Sequence, residues 1–425
     1  MRFALCHLAI HGERNIDLRQ EDFDLIEHAE VIHEGDASGN EMTVRFRLPS
    51  GLEIFGLPTK NFYGGHWDLG PTWNYAVLND RPFLVDAGRF GQGNNLIAMM
   101  ESVGLTGKDL DFVLISHGHE DHDGGLAELV NATHLDVKAH AIYAHLIKKY
   151  PDRSPADNKK DFPAKCWHCP MPESFYSENC LEYHKVLQHL KIGPIGDGEN
   201  KLAPDTHTHH LPGHSPDCLA VLLGKEAIIV GDIILPDISP WPTKEALFEE
   251  VADVIKPDYN NGAEIFGLRC YIKSLKKIIK IARKYPGLIV LPAHRLYYNG
   301  RWNRLDLENR AKELLEHHIQ RCGAIIELLN SGPKTAEKIA RKHFEDRLLE
   351  GFGSLMATNE IISHCELLIE SGDVITENDS TYTATGSAHF ENYIENLAAD
   401  EKGNLRKVNL PLPGRSTKPR RPRQD

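Results

Sequence analysis

The chain has 425 residues, 41% hydrophobic and 26% charged, with a formal net charge of −13. That length exceeds one ordinary domain, and the composition is globular, which excludes fibrous and wholly disordered classes. No apolar run reaches the ~18 residues of a membrane span, and the N-terminal apolar stretch is broken by His7 and ended by His11. The expectation is a protein that is neither exported nor membrane-inserted, located in the cytoplasm.

Eight cysteines in a long chain without a signal peptide point to a reducing compartment, not a disulfide framework. The charge is unevenly placed. Residues 401–425 carry eight Lys and Arg against Glu401 and Asp425, so residues 1–400 hold about −19. A body that acidic repels nucleic acid unless a basic patch overrides it. The 24 histidines are the more telling count, because imidazole is the commonest metal ligand.

In chain order, LEIFGLP, WNYAVLN and PFLVDAG (within 52–88) read as strands, with a Gly-punctuated loop, Gly64–Pro71, between the first two. DFVLISH (111–117) reads as a buried strand and GGLAELVNAT (124–133) as the helix after it. VKAHAIYAHLIKKY gives a strand and a helix, LAVLLGKEAIIVGD two short strands, and PGLIVLPAH one more. Strands interleaved with helices argue for α/β layers. After His294 the texture changes to a long helical pattern over 305–332, two further helices, and an alternating segment, DVITENDSTYTATG (373–386), that reads as a hairpin. Thr335 is followed at the third position by Lys338, not Glu, so the capping box there is incomplete. The reading is a domain over 1–305 with an insertion at 150–191, a winged-helix-like module over 306–390, and a terminal helix with a disordered Pro/Arg-rich tail over 391–425.

The chemistry concentrates in Ser116-His117-Gly118-His119-Glu120-Asp121-His122-Asp123, directly after a strand. Three histidines and a carboxylate on a strand-end loop can converge on one point, whereas on a helix His117, His119 and Asp121 would splay around the axis. Imidazole with carboxylate suits zinc, iron or manganese. Three later segments add strand-end donors: Pro212-Gly213-His214, Gly231-Asp232 and Pro292-Ala293-His294. An aspartate closing an apolar strand, as Asp232 does, needs a partner.

The ordered set H-x-H-x-D-H, P-G-H, G-D and P-x-H resembles the metallo-β-lactamase superfamily pattern over roughly residues 50–300. The resemblance implies an αββα fold of four layers with a dinuclear site at one edge. It implies His117, His119 and His214 as ligands of a first metal, Asp121, His122 and His294 of a second, and Asp232 as the bridge. The cofactors are then two divalent ions, zinc by default, with iron or manganese as alternatives. Water bridging two such ions ionises near neutrality, and the hydroxide attacks a carbonyl or phosphorus. Asp121 can both ligate and orient that nucleophile, while Ser116 reads as a loop hydroxyl.

The region after His294 is similar to the winged-helix appendage of one branch of these hydrolases, which mixes hydroxyacylglutathione hydrolase-like and endoribonuclease-like members. The acidic body favours a small-molecule thioester or ester substrate; an endoribonuclease or phosphodiesterase with the same metals is the alternative. A homo-oligomer is open. Three further features need a reading. Cys166, Cys169, Cys180 and His184 have spacing that could close a second zinc site, against two surface thiols with coincidental partners. His66 and Trp67, in the Gly64–Pro71 loop, are candidates for substrate contact. Lys273, Lys276, Lys277, Lys280 and Lys284 form a basic helix face, more simply a solvated face than an anion site.

Overall fold

A computed structural model describes residues 28–61, 68–149, 176–255, 258–377 and 380–398. Eight strands form the first sheet in chain order: β1 (Ala29–His33), β2 (Thr43–Arg47), β3 (Glu53–Thr59), β4 (Thr72–Leu78), β5 (Phe83–Val85), β6 (Phe112–Leu114), β7 (Asp136–His140) and β8 (Ile192–Ile195). The pairs from β1 to β5 are antiparallel and those from β5 to β8 parallel. The second sheet runs β13-β12-β11-β10-β9, from β9 (Glu199–Ala203), β10 (Thr206–His210), β11 (Leu219–Leu223), β12 (Ala227–Gly231) and β13 (Ile289–Pro292).

Strand periodicity divides the side chains between two faces. From the first sheet Phe46, Tyr75, Val77, Phe83 and Phe112 meet Leu219, Val221, Leu223 and Ile229 of the second in one buried cluster. The opposite face of the first sheet, with Leu57, Leu84 and Val113, is covered by helices α1 (Gly93–Ser102), α2 (Leu126–Thr133) and α3 (Ala141–Leu146). The opposite face of the second sheet, with Leu222, Ile228 and Val230, is covered by α4 (Gly267–Lys284) through Leu268, Ile272, Leu275 and Ile278. The result is the four-layer αββα arrangement.

A short antiparallel hairpin, β14 (Tyr297–Tyr298) and β15 (Arg301–Trp302), leads out of the second sheet. The C-terminal region then supplies α5 (Leu307–Leu329), α6 (Ala336–His343), α7 (Gly353–Glu370), a small sheet ordered β16-β18-β17 (Lys334–Thr335, Thr381–Ala384, Val374–Glu377) and α8 (Phe390–Asn396). Its apolar residues, among them Leu314, Ile325, Ile339, Ile361 and Leu368, continue the cluster under α4. Polar contacts reinforce the seam. Arg310 donates to the carbonyls of Leu235 and Ile238 at 2.8 and 3.0 Å, and Ser363 donates to that of Pro242 at 2.9 Å. Thr335 does cap α6 by accepting from the Lys338 amide, although the box is incomplete as the sequence predicts. Lys276, from the basic face of α4, donates to the carbonyls of Ile394, Glu395 and Leu397 at 2.6 to 2.9 Å and so caps the end of α8. Part of that face is therefore a helix cap. Among the described residues, no helix is long and apolar enough to cross a membrane.

Candidate metal centre

The histidine motif begins where β6 ends. Residues 117–119 leave the strand in extended conformation, as the splaying argument requires, but Glu120–Asp123 then form one helical turn. That turn aims Asp121 and His122 back toward the strand ends. His214 lies on the loop after β10, Asp232 follows β12 and His294 follows β13. All seven side chains are buried, and their donor atoms fall into three overlapping groups, each within 4.8 Å: His117, His119 and His214; His117, His122 and Asp232; Asp121, His122 and His294.

Asp232 stands between the two sets. Its Oδ2 lies 3.5 Å from His214 Nε2, while its Oδ1 lies 3.6 Å from His122 Nε2 and 3.3 Å from His294 Nε2. Asp121 Oδ2 lies 3.1 Å from His294 Nε2 and 3.7 Å from His122 Nε2. Separations near 3.3 Å suit donors that share an ion at about 2.1 Å. The donor atoms are otherwise uncommitted: Nε2 of His117, His122, His214 and His294, and Oδ1 of Asp232, are buried without a hydrogen bond. Leaving such atoms unsatisfied costs about 1–3 kcal/mol each, which a bound cation removes. The residues fit a dinuclear centre.

The ring nitrogens on the far side are held, which settles the tautomers. His122 Nδ1 meets Asp86 Oδ2 at 2.9 Å, His214 Nδ1 meets the Trp241 carbonyl at 3.0 Å, and His294 Nδ1 meets the Pro71 carbonyl at 3.2 Å. A carbonyl or carboxylate only accepts, so each Nδ1 carries a proton, and Nε2 is the nitrogen left to give up its proton to an ion. His117 Nδ1 faces the Ser116 hydroxyl at 3.1 Å, and that hydroxyl donates to Asp86 Oδ2 at 2.8 Å. Ser116 is thus part of the support and is not a nucleophile. Asp86 also accepts from the Ser116 amide at 2.7 Å, and its own backbone is left-handed, φ 66°, a conformation Asp tolerates better than most residues. Asp217 accepts from the Gly118 amide at 2.9 Å and so ties the His214 loop to the first motif.

Glycine is required on that loop. Gly213 has φ 132°, and a Cβ there would lie 2.4 Å from Tyr271 Cα.

Burial opposes ionisation of Asp121, but His122 and His294 outweigh it and hold the carboxyl below the usual carboxylate range. The same balance holds Asp232 ionised, with His294 and His122 as its counter-charges. Burial, reinforced by His122 and His119, pushes His117 well below its ordinary value, so it is neutral. His294 loses to burial but gains more from Asp232 and Asp121, reaching about 9. A pocket that holds two carboxylates ionised has the charge a pair of cations needs.

A family model described as the metallo-beta-lactamase superfamily matches residues 67–294. The chain belongs to the metallo-beta-lactamase superfamily. Solved structures agree on the fold. A metallo-beta-lactamase family protein of Thermus thermophilus is 21% identical, with TM-score 0.55, covering 78% of this chain and 98% of its own. A beta-lactamase domain protein of Burkholderia ambifaria is 19% identical, with TM-score 0.56, covering 85% and 98%.

Of the remaining sequence candidates, His66, Trp67, Cys166 and Cys169 lie outside the described residues. Cys180 and His184 are buried and about one helical turn apart. Two other donor groups come together elsewhere in this metallo-beta-lactamase fold: His317, His318 and Glu360, and His140, Asp197 and His210. At the former, Arg321 contacts the Glu360 carboxylate and opposes a second cation. The residues that sequence reasoning missed are the supports, Asp86, Asp217 and the Trp241 carbonyl. Asp86 carried a usable signal, since it closes the apolar strand PFLVD just as Asp232 closes its own.

Proposed function

We propose that this protein is a dinuclear metal-dependent hydrolase acting on a small acyl thioester or ester. The observation that carries the reading is the placement of Asp232, whose two oxygens face the two imidazole sets separately. His117, His119 and His214 would hold one ion, Asp121, His122 and His294 the other, with Asp232 between. When bound, the ions lower the pKa of water toward neutrality and polarise the scissile carbonyl. The chain's own part is orientation. Asp121 stays ionised, receives the Thr72 hydroxyl at 3.3 Å on Oδ2, and can accept a hydrogen bond from the attacking water. Asp86, Trp241 and Pro71 keep three imidazoles in the ligating tautomer throughout the cycle.

The body charge of about −19 favours an acyl substrate over a polyanionic backbone. The order of elements after His294, helix, short strand, two helices and a hairpin, supports the winged-helix branch. In α7 the segment MATNEIISHCELLIESG has Glu360, Glu366 and Glu370 and no Lys or Arg, so the module packs on the hydrolase domain and shapes substrate access instead of reading DNA. The test is metal analysis followed by assays against thioester, lactone and RNA panels. Thioester or ester turnover without RNA cleavage is expected; RNA cleavage alone would transfer the reading to a phosphodiesterase.

A further inference from the structure

A second polar cluster, two buried imidazoles and the exposed carboxylate of Asp197, sits where the two sheets meet, beside the His214 loop. His140 ends β7, His210 ends β10, and Asp197 lies in the turn between β8 and β9. The two imidazoles stack with centroids 3.7 Å apart and planes 16° from parallel. Asp197 Oδ1 is 3.2 Å from His140 Nε2, 3.2 Å from His210 Nδ1, and accepts from the Tyr259 hydroxyl at 2.6 Å. Three donor atoms this close suggest a metal, but the stacking excludes one. Ring lone pairs lie in the ring planes, and parallel planes do not converge on an ion about 2.1 Å from both nitrogens.

Hydrogen-bond partners assign the protons instead. His140 Nδ1 accepts from the Ile142 amide at 3.3 Å, which places its proton on Nε2, facing Asp197. His210 Nε2 lies 2.8 Å from the Pro216 carbonyl, an acceptor, so that nitrogen carries a proton. Its Nδ1 lies 3.2 Å from the Asp197 carboxylate. His140 is the neutral ring. Burial and the neighbouring His210 push His140 down to about 4. The adjacent His140 and His210 imidazoles hold Asp197 below the carboxylate range, against burial. The charged and titratable groups around the pair are His140 on β7, Tyr259, and Asp217 on the loop.

The carbonyl that His210 holds is the consequential one. Pro216 lies on the loop 211–217 that carries His214, and its neighbour Asp217 receives the Gly118 amide between His117 and His119. We propose that His210, braced by Asp197, is a positioning residue for the first ligand set, fixing through the Pro216 carbonyl the loop that sets His214 against His117 and His119. This rests on the reading of those three histidines as metal ligands.

Two measurements test it on the full-length protein. In the metal-free form, ¹⁵N NMR of the His210 ring is expected to show Nε2 protonated, the state that holds the Pro216 carbonyl. A ring protonated on Nδ1 alone overturns the proposal. Asp197→Asn removes the carboxylate that braces the ring. Zinc affinity by chelator competition is then expected to fall about 10–100-fold for the His117–His119–His214 ion, the usual cost of losing an outer support. The Asp121–His122–His294 ion should bind as before, and Asp197→Glu should restore part of the loss. Equal loss of both ions together with a lower Tm would mean a merely structural pair, and no loss at either would also sink the idea. If the unmodified protein takes up no zinc, the proposed function fails, while the NMR measurement still decides whether His210 holds the Pro216 carbonyl.

Discussion

Asp86 offers the sharpest test of how the centre is built, because both oxygens of its carboxylate are engaged, by three donors in all. Oδ1 takes the Ser116 amide at 2.7 Å; Oδ2 takes the Ser116 hydroxyl at 2.8 Å and His122 Nδ1 at 2.9 Å. Asp86→Asn keeps the shape and replaces one acceptor with a donor. If the amide nitrogen sits at the Oδ1 position, it faces the Ser116 N–H and leaves a buried donor unpaired, at about 1–3 kcal/mol. If it sits at the Oδ2 position, the serine hydroxyl can rotate to accept, but His122 must move its proton from Nδ1 to Nε2. That proton occupies the lone pair that would ligate. The first orientation lowers stability and the second costs the second ion, for which the expected loss is about 10–100-fold in affinity, or about 1.4–2.7 kcal/mol. His117 keeps Ser116 as an acceptor for its Nδ1 proton, so the first ion should change far less. Elemental analysis after stepwise chelation measures both affinities, and ¹⁵N NMR of His122 reads the tautomer. A variant that binds both ions normally, with His122 still protonated on Nδ1, would refute the argument.

His119→Ala should abolish hydrolysis while the circular dichroism spectrum and Tm stay near those of the unmodified protein, since the site lies at the sheet edge. Persistent full activity would exclude the dinuclear mechanism. Gly213→Ala should disturb the His214 loop, because the new Cβ meets Tyr271 Cα at 2.4 Å; zinc stoichiometry measured beside Tm should show at least one ion lost. Lys276→Met should lower stability by about 1–3 kcal/mol in urea titrations, because three carbonyls lose their donor. Burial and the facing Glu370 push Glu245 up to about 7, against Arg269. The folded state therefore holds a proton that the unfolded chain releases near about pH 4.3. Its contribution to stability is full below that pH, declines as pH rises toward about 7, and is gone above, with a slope of at most about 1.4 kcal/mol per pH unit. Glu245→Gln should flatten this part of the urea-midpoint profile, and an unchanged slope would remove Glu245 as its source.

The sequence by itself determined the layers and the donors. Apolar runs such as FLV at 83–85 and IVLP at 289–292 form strands because their residues bury on both faces, and every candidate ligand except His214, which follows the polar strand THTHH, comes after such a run, where a polar side chain interrupts an apolar pattern. Strand-end position is a local property, so His117, His119, Asp121, His122, His214, Asp232 and His294 were legible as a group. The extended start of the motif was legible for the same reason, but the helical turn at Glu120–Asp123 was not, because four residues are too few to hold a helix without tertiary contacts. Only the tertiary structure decided which oxygen of Asp232 faces which imidazoles, and which nitrogen of each ring is free. Those answers come from contacts between distant segments: Asp86 with His122 across 36 residues, Asp217 with Gly118 across 99, and Pro71 with His294 across 223. A hydrogen bond fixes a proton only once both partners are in place, and sequence spacing carries no record of partners that folding alone brings together. The His210 ring is the same case. Its two neighbours, the Asp197 carboxylate and the Pro216 carbonyl, lie on different loops, and only the meeting of the two sheets sets them on opposite sides of one ring.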